Sequence, residues 1–174
     1  MNFTKTNKIV YMSLLVSMAL ILFIIENMIP VPFITPGAKL GLANLIIMVS
    51  VYTLDSYKDS FTVLILRLLI STMVGGSLST LMYSAAGGIL SFIIIVIVKE
   101  LGGKYVSIIG VSAAAAVFHN IGQLAVASII LKNIGVFLYL PVLSIAGIGT
   151  GIFVGLSANY MIQHLNKLPY FRSN

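Results

Sequence analysis

Residues 78–98 read LSTLMYSAAGGILSFIIIVIV, 21 consecutive positions without a charged side chain. Wound into a helix at about 1.5 Å per residue, the run is about 31 Å long, close to the roughly 30 Å hydrocarbon core of a bilayer. It stops at Lys99-Glu100-Leu101-Gly102-Gly103-Lys104, where charge and two glycines end the helix. The rest of the chain is of the same kind. Of its 174 residues 59% are hydrophobic and only 8% charged, with a mean hydropathy of +1.11. A soluble domain is about 25% charged, so this chain lacks the polar surface to cover a globule in water and reads as an integral membrane protein. Six crossings of roughly 20 residues use about 120 positions. That leaves only short loops and excludes a large soluble catalytic domain.

Outward from this run, the apolar stretches predict six helices at 9–27, 40–54, 60–75, 78–98, 106–131 and 137–165, an all-α six-transmembrane-helix bundle forming a single domain over 1–174. The first stretch could be mistaken for a secretory signal, whose apolar part is about 7–15 residues before a small-residue cleavage site. Here the run is longer and ends Glu26-Asn27-Met28-Ile29-Pro30, so it is read as a retained helix. Pro30-Val31-Pro32-Phe33-Ile34-Thr35-Pro36-Gly37 then stops any helix and predicts an extended, ordered loop. The second helix is short for a crossing, and Asp55-Ser56-Tyr57-Lys58-Asp59 reads as a tight polar turn. Bases near helix ends set orientation. Lys5, Lys8, Lys58, Lys99, Lys104, Lys167 and Arg172 fall on one side, against Lys39 and Lys132 on the other. Both termini are therefore expected on the cytoplasmic face, N-in and C-in.

The same inventory excludes several chemistries. With no Cys, there are no disulfides, thiolate metal sites or thiol nucleophiles. Two His and the scattered carboxylates Glu26, Asp55, Asp59 and Glu100 leave little for a metal cage, so no metal and no cofactor are expected. The net charge of +6 belongs to bases flanking apolar runs, so a lipid bilayer rather than nucleic acid is the expected partner. Motifs for nucleotide hydrolysis, the nucleophile elbow and the H-E-x-x-H zinc site are missing. A prenyl-diphosphate synthase would hold magnesium on aspartate-rich motifs, and Asp55 and Asp59 around Lys58 are a poor substitute. The chain is not expected to be an enzyme.

Polar side chains inside the predicted spans are few, and each is a candidate. His119, Asn120 and Gln123 fall at helical spacing and are expected on one face, an imidazole and two amides suited to hydrogen-bonding a small molecule or to joining helices. Lys39 follows Pro36-Gly37-Ala38 at the mouth of helix two, with Asn44 about a turn deeper. A cation there opposes the helix dipole, so an anionic ligand, Glu26 or simple interfacial anchoring would explain it. Arg67 is the one arginine within a span, expected either to snorkel toward the inner interface as a structural charge or to pair with a ligand. Gly147, Gly151 and Gly155 form a helix-packing stripe, as do Thr80, Ser84 and Gly88, and Ser13 and Ser17 form a shorter one.

Pro36-Gly37-Ala38-Lys39-Leu40-Gly41-Leu42-Ala43-Asn44, the Arg67 helix before Gly75-Gly76, Tyr83-Ser84-Ala85-Ala86-Gly87-Gly88-Ile89-Leu90-Ser91 and His119-Asn120-Ile121-Gly122-Gln123 occur in this order. Together they resemble the Gx transporter family, also labelled heptaprenyl diphosphate synthase component I, over nearly the whole chain. That family looks like the S components of energy-coupling factor (ECF) transporters. The resemblance implies a multi-pass subunit of the bacterial cytoplasmic membrane that captures a vitamin- or precursor-like molecule, with Lys39, Asn44, His119, Asn120 and Gln123 in the substrate site and the loop between helices one and two closing over it. It also implies docking through small residues of helix one, here Ser13 and Ser17, onto a transmembrane coupling subunit driven by two ATPase subunits. Two rivals stand beside this reading. One is a non-catalytic membrane partner linked to prenyl diphosphate or quinone biosynthesis; the other is a self-sufficient secondary transporter.

Overall fold

The computed structural model describes residues 4–28, 41–75, 77–103 and 105–168. Those residues form α1 (Lys5–Met28), α2 (Asn44–Thr53), α3 (Tyr57–Gly75), α4 (Leu78–Gly102), α5 (Ile108–Leu131), a 3-10 segment (Ile134–Tyr139) and α6 (Leu140–Leu165), with no strand among them. Local chemistry sets the boundaries. Ser77 and Ser107 accept from the backbone N–H of Thr80 and Gly110 at 3.1 and 3.2 Å, answering donors left over at the starts of α4 and α5. Gly103 ends α4 at a φ of +48°, a left-handed turn that glycine adopts without strain. Pro141 sits in the first turn of α6, where its missing N–H costs nothing.

Among the described residues four segments are long and apolar enough to cross a membrane: Lys5–Met28, Leu78–Gly102, Ile108–Leu131 and Ile134–Leu165. The other two helices differ from the expected spans. At ten residues α2 is about 15 Å long, half a hydrocarbon core, and α3 carries Lys58, Asp59 and Arg67 within its length. The proline loop and Lys39 lie outside the described residues.

Contacts between ends show that the helices alternate in direction. At one end Lys8 of α1 donates to Asp59 of α3 at 2.8 Å, and the hydroxyls of Tyr11 and Thr53 meet at 2.9 Å, bringing the start of α1 to the end of α2. Lys99, in the last turn of α4, donates to the Val51 carbonyl of α2 at 2.7 Å and lies over the rings of Tyr52 and Tyr57 at 4.6 and 5.0 Å. Tyr57 also donates to Glu100. Lys5, Lys8, Lys58 and Lys99 gather at this end, whereas Lys132 closes α5 at the other.

The core is built round α2, eight of whose ten residues are buried, on every side of the helix. Leu15 and Ala19 of α1, Val63 and Leu64 of α3, Ile95 of α4, Val111 of α5 and Ala158 of α6 close over it. The outer faces are apolar as well: Val142, Ile145 and Phe153 of α6 and Leu69 of α3 are all more than half exposed. A bundle that is oily outside and inside suits lipid rather than water.

The tightest packing holds α5 between α4 and α6. A Cβ on Gly151 would lie 2.7 Å from Ala113 Cα and 2.9 Å from the Ser112 carbonyl; on Gly155, 2.7 Å from Ile109 Cα; on Gly122, 2.6 Å from the Ala86 carbonyl. These are backbone atoms that cannot step aside, so the helices approach to a distance only glycine permits. The Gly147, Gly151 and Gly155 stripe thus faces α5. Gly151→Ala should lower stability by about 1–3 kcal/mol through overpacking, read as an earlier thermal transition in detergent. Gly149→Ala, on the same helix with open space around it, should not. Lys99→Ala should cost about 1.5–3 kcal/mol, the range for a hydrogen bond to a charged group.

Candidate binding site

His119 and Gln123 lie one turn apart on the side of α5 that meets α2 and α4. The imidazole is 3% exposed and both ring nitrogens are occupied: Nδ1 is 3.0 Å from Asn44 Nδ2 of α2, and Nε2 is 3.0 Å from Gln123 Nε2. A neutral ring has one donor and one acceptor nitrogen, so both amides cannot present their N–H groups to it. One amide therefore donates to the unprotonated nitrogen, and the other turns its carbonyl oxygen to the ring N–H. The backbone of Gly87 packs against the ring, and a Cβ at that position would stand 2.8 Å from both Nδ1 and Cε1.

Glycines make room for this group. Gly41 has a φ of +81°, which side-chain-bearing residues rarely adopt, and a Cβ there would lie 3.4 Å from His119 Nε2. The Gly41 N–H donates to Glu26 Oε1 at 2.5 Å and the Leu42 N–H to the same oxygen at 3.3 Å. Glu26, 2% exposed in the last turn of α1, is thus a buried acceptor at the start of α2. Arg67 is also 2% exposed, within electrostatic range of both Glu26 and His119. The snorkelling expected for Arg67 does not occur, because α3 turns this residue into the bundle, toward Gly88 of α4.

Asn120 departs from the expected shared face. Successive residues on a helix are about 100° apart, and that step carries Asn120 round to α6, where Nδ2 donates to the Leu143 carbonyl at 2.7 Å. Ser13 and Ser17 lie on an exposed face of α1, Ser17 Oγ bonding the Ser13 carbonyl at 2.9 Å. Of the expected substrate residues, then, the structure brings together Asn44, His119 and Gln123, adds Glu26 and Arg67 to their surroundings, and sets Asn120 apart.

A cavity with about 300 Å³ of empty volume borders His119, lined by Gly41 before α2, Asn44 and Met48 of α2, Ser91 and Ile95 of α4, Ser112, Ala115 and Ala116 of α5, and Thr150, Gly151 and Val154 of α6. Its walls stand so close that about one or two water molecules fit inside. Ser91, Ser112 and Thr150 give it three hydroxyls that the motifs did not single out. Single serines and threonines in an apolar helix satisfy themselves on the preceding turn, so sequence gives no sign of which face a cavity. Gly41 and Gly87 were legible only as parts of motifs. Among the described residues no three His, Asp or Glu converge to hold a metal.

Residues 15–161 match the profile of the family described as heptaprenyl diphosphate synthase component I. The chain belongs to this family. No curated protein and no solved structure matches it. The matched region runs from α1 almost to the end of α6, so the glycine contacts, the His119 group, Glu26 and Arg67 all lie inside it.

The two amides on α5 should separate in experiment. Asn120→Ala removes the bond to Leu143 and should lower stability in detergent by about 1–2 kcal/mol. Gly87→Ala forces the imidazole from its seat, and the histidine's NMR resonances should shift in that variant while they stay in place in Asn120→Ala.

Proposed function

We propose that this protein is the substrate-capture subunit of an energy-coupling factor type importer for a small vitamin- or precursor-like molecule carrying an anionic group. The observation that carries this reading is the His119 group. An imidazole, two amides and nearby charges are gathered from α1, α2, α3 and α5 in the middle of a bundle whose surface is oily, and intramembrane polar groups of this kind mark ligand pathways. His119 and Gln123 read polar edges of the ligand, Asn44 orients the ring, and Lys39 meets the anion. Asn120 and the Gly147, Gly151 and Gly155 stripe hold α5 to α6.

In this reading all six helices cross or enter the cytoplasmic membrane, with the lysine-rich end and both termini inside. The cavity is too small for a vitamin, so in this reading the ligand enters as the start of α2 moves, and the pocket widens around it. The sequence lacks a nucleotide-hydrolysis motif, so energy comes from a transmembrane coupling subunit and two ATPase subunits. The exposed Ser13 and Ser17 face of α1 is the docking surface.

The family description favours one second reading, a non-catalytic membrane partner of prenyl diphosphate synthesis. Catalysis by this chain itself is disfavoured, since Asp59 is paired with Lys8 rather than placed to hold magnesium. Purification in mild detergent followed by native mass spectrometry separates the two readings. The importer reading expects a bound small molecule, lost in His119→Ala and Gln123→Ala, and co-purifying ATPase subunits. A prenyl-pathway enzyme in their place, with binding untouched by either variant, would overturn it.

A further inference from the structure

Arg67 carries guanidinium donors that its described surroundings leave without acceptors. Its side chain is 2% exposed, and Nε and Nη1 are buried without a hydrogen-bond partner. Nε bears one N–H and Nη1 two, so three of the five guanidinium donors lack acceptors. Glu26 acts on Arg67 through space, but its Oε1 accepts from the N–H groups of Gly41 and Leu42. Guanidinium does not shed its proton in proteins. A buried charge left in this state is strongly unfavourable unless an acceptor arrives, and water would answer the hydrogen bonds without answering the charge.

The position of this cation is informative. Nη1 lies 3.9 Å from where a Cβ on Gly88 would stand, one residue from the Gly87 that touches His119, and Arg67 is within electrostatic range of the imidazole. A forked donor for oxyanions therefore adjoins a ring and two amides that suit neutral polar edges. We propose that Arg67 is an oxyanion subsite, which takes the carboxylate or phosphate of a small ligand whose neutral part is read by His119 and Gln123. This rests on the capture reading above and moves the anion from the mouth of helix two to the bundle interior. The chemical class is a small molecule with a neutral hydrogen-bonding edge and one oxyanion, the two separated by no more than the space between α3 and α5.

The test uses the full chain, stripped of small molecules in a neutral detergent, with inorganic phosphate and acetate as probes. Each is titrated while the unfolding temperature is followed. The expected result is stabilisation of the wild type by at least one of them, the stronger identifying phosphate or carboxylate, with affinity reduced about tenfold or more in Arg67→Gln. Unliganded Arg67→Gln should be at least as stable as unliganded wild type, since buried guanidinium donors without acceptors are gone. If Arg67 instead serves only as an internal partner of Glu26, Arg67→Gln is destabilised and both proteins respond alike to the probes, which overturns the proposal. Should Arg67→Gln fail to fold, Arg67→Lys keeps the charge but loses the fork; a wild-type response to the probes in that variant overturns the proposal, and a weakened one supports it. Oxyanion binding through Arg67 in a protein that recruits no ATPase subunits leaves the subsite standing and removes the importer. ATP-driven uptake unchanged in Arg67→Gln does the reverse.

Discussion

A ten-residue helix buried on every side must have both its ends answered from within the protein, and α2 is such a helix. The backbone N–H groups of Gly41 and Leu42 before its first turn meet the Glu26 carboxylate, and the Val51 carbonyl near its last turn meets the Lys99 ammonium. An anion at the N-terminus and a cation at the C-terminus is also the arrangement the helix dipole favours. Because Glu26 comes from α1 and Lys99 from α4, answering the ends of α2 fixes α1 and α4 around it. The start of α2 then falls in the interior beside α5. This is what sets Asn44 on His119.

A second constraint comes from packing. The backbones of α4 and α6 both touch α5, through Gly122 on one side and Gly151 and Gly155 on the other. Where lipid gives no hydrophobic drive for helices to associate, such close approach and interhelical hydrogen bonds do the joining. The polar residues of α5 divide accordingly. Asn120 bonds to α6 and belongs to the packing, whereas His119 and Gln123 bond to each other and to Asn44 of α2 and form the candidate site. The close fit also explains why the cavity beside His119 is small.

Much of this was legible in sequence, residue by residue. The charge-free run at 78–98 marked the start of its helix to the residue, although the helix runs on to Gly102, and the i, i+4 spacing of His119 and Gln123 foretold their contact. Asn120 was assigned to the wrong face because a window of polar residues spanning more than a quarter-turn does not say where one neighbouring helix ends and the next begins. Arg67 was read by depth alone. Depth is a one-dimensional property and can be counted along a helix, but whether a side chain points out to lipid or in toward Gly88 depends on how α3 is rotated. Glu26 looked like the end of a span, and its role became visible only when the start of α2 folded back against it.

Composition by itself determined that this chain forms long apolar helices suited to a bilayer, since hydropathy is summed over local sequence and needs no partner. It also restricted the search for a site to the few polar side chains within those helices. Tertiary structure decided which of them meet: His119 with Asn44 and Gln123, Glu26 with the start of α2, Asn120 with α6, and Arg67 buried with unanswered donors. The physical reason is that hydrogen bonds and buried charges are pairwise and short-ranged. Their partners here lie on different helices, 15 residues apart for Glu26 and Gly41 and 75 for Asn44 and His119, and only the rotation and close packing of those helices bring them within reach.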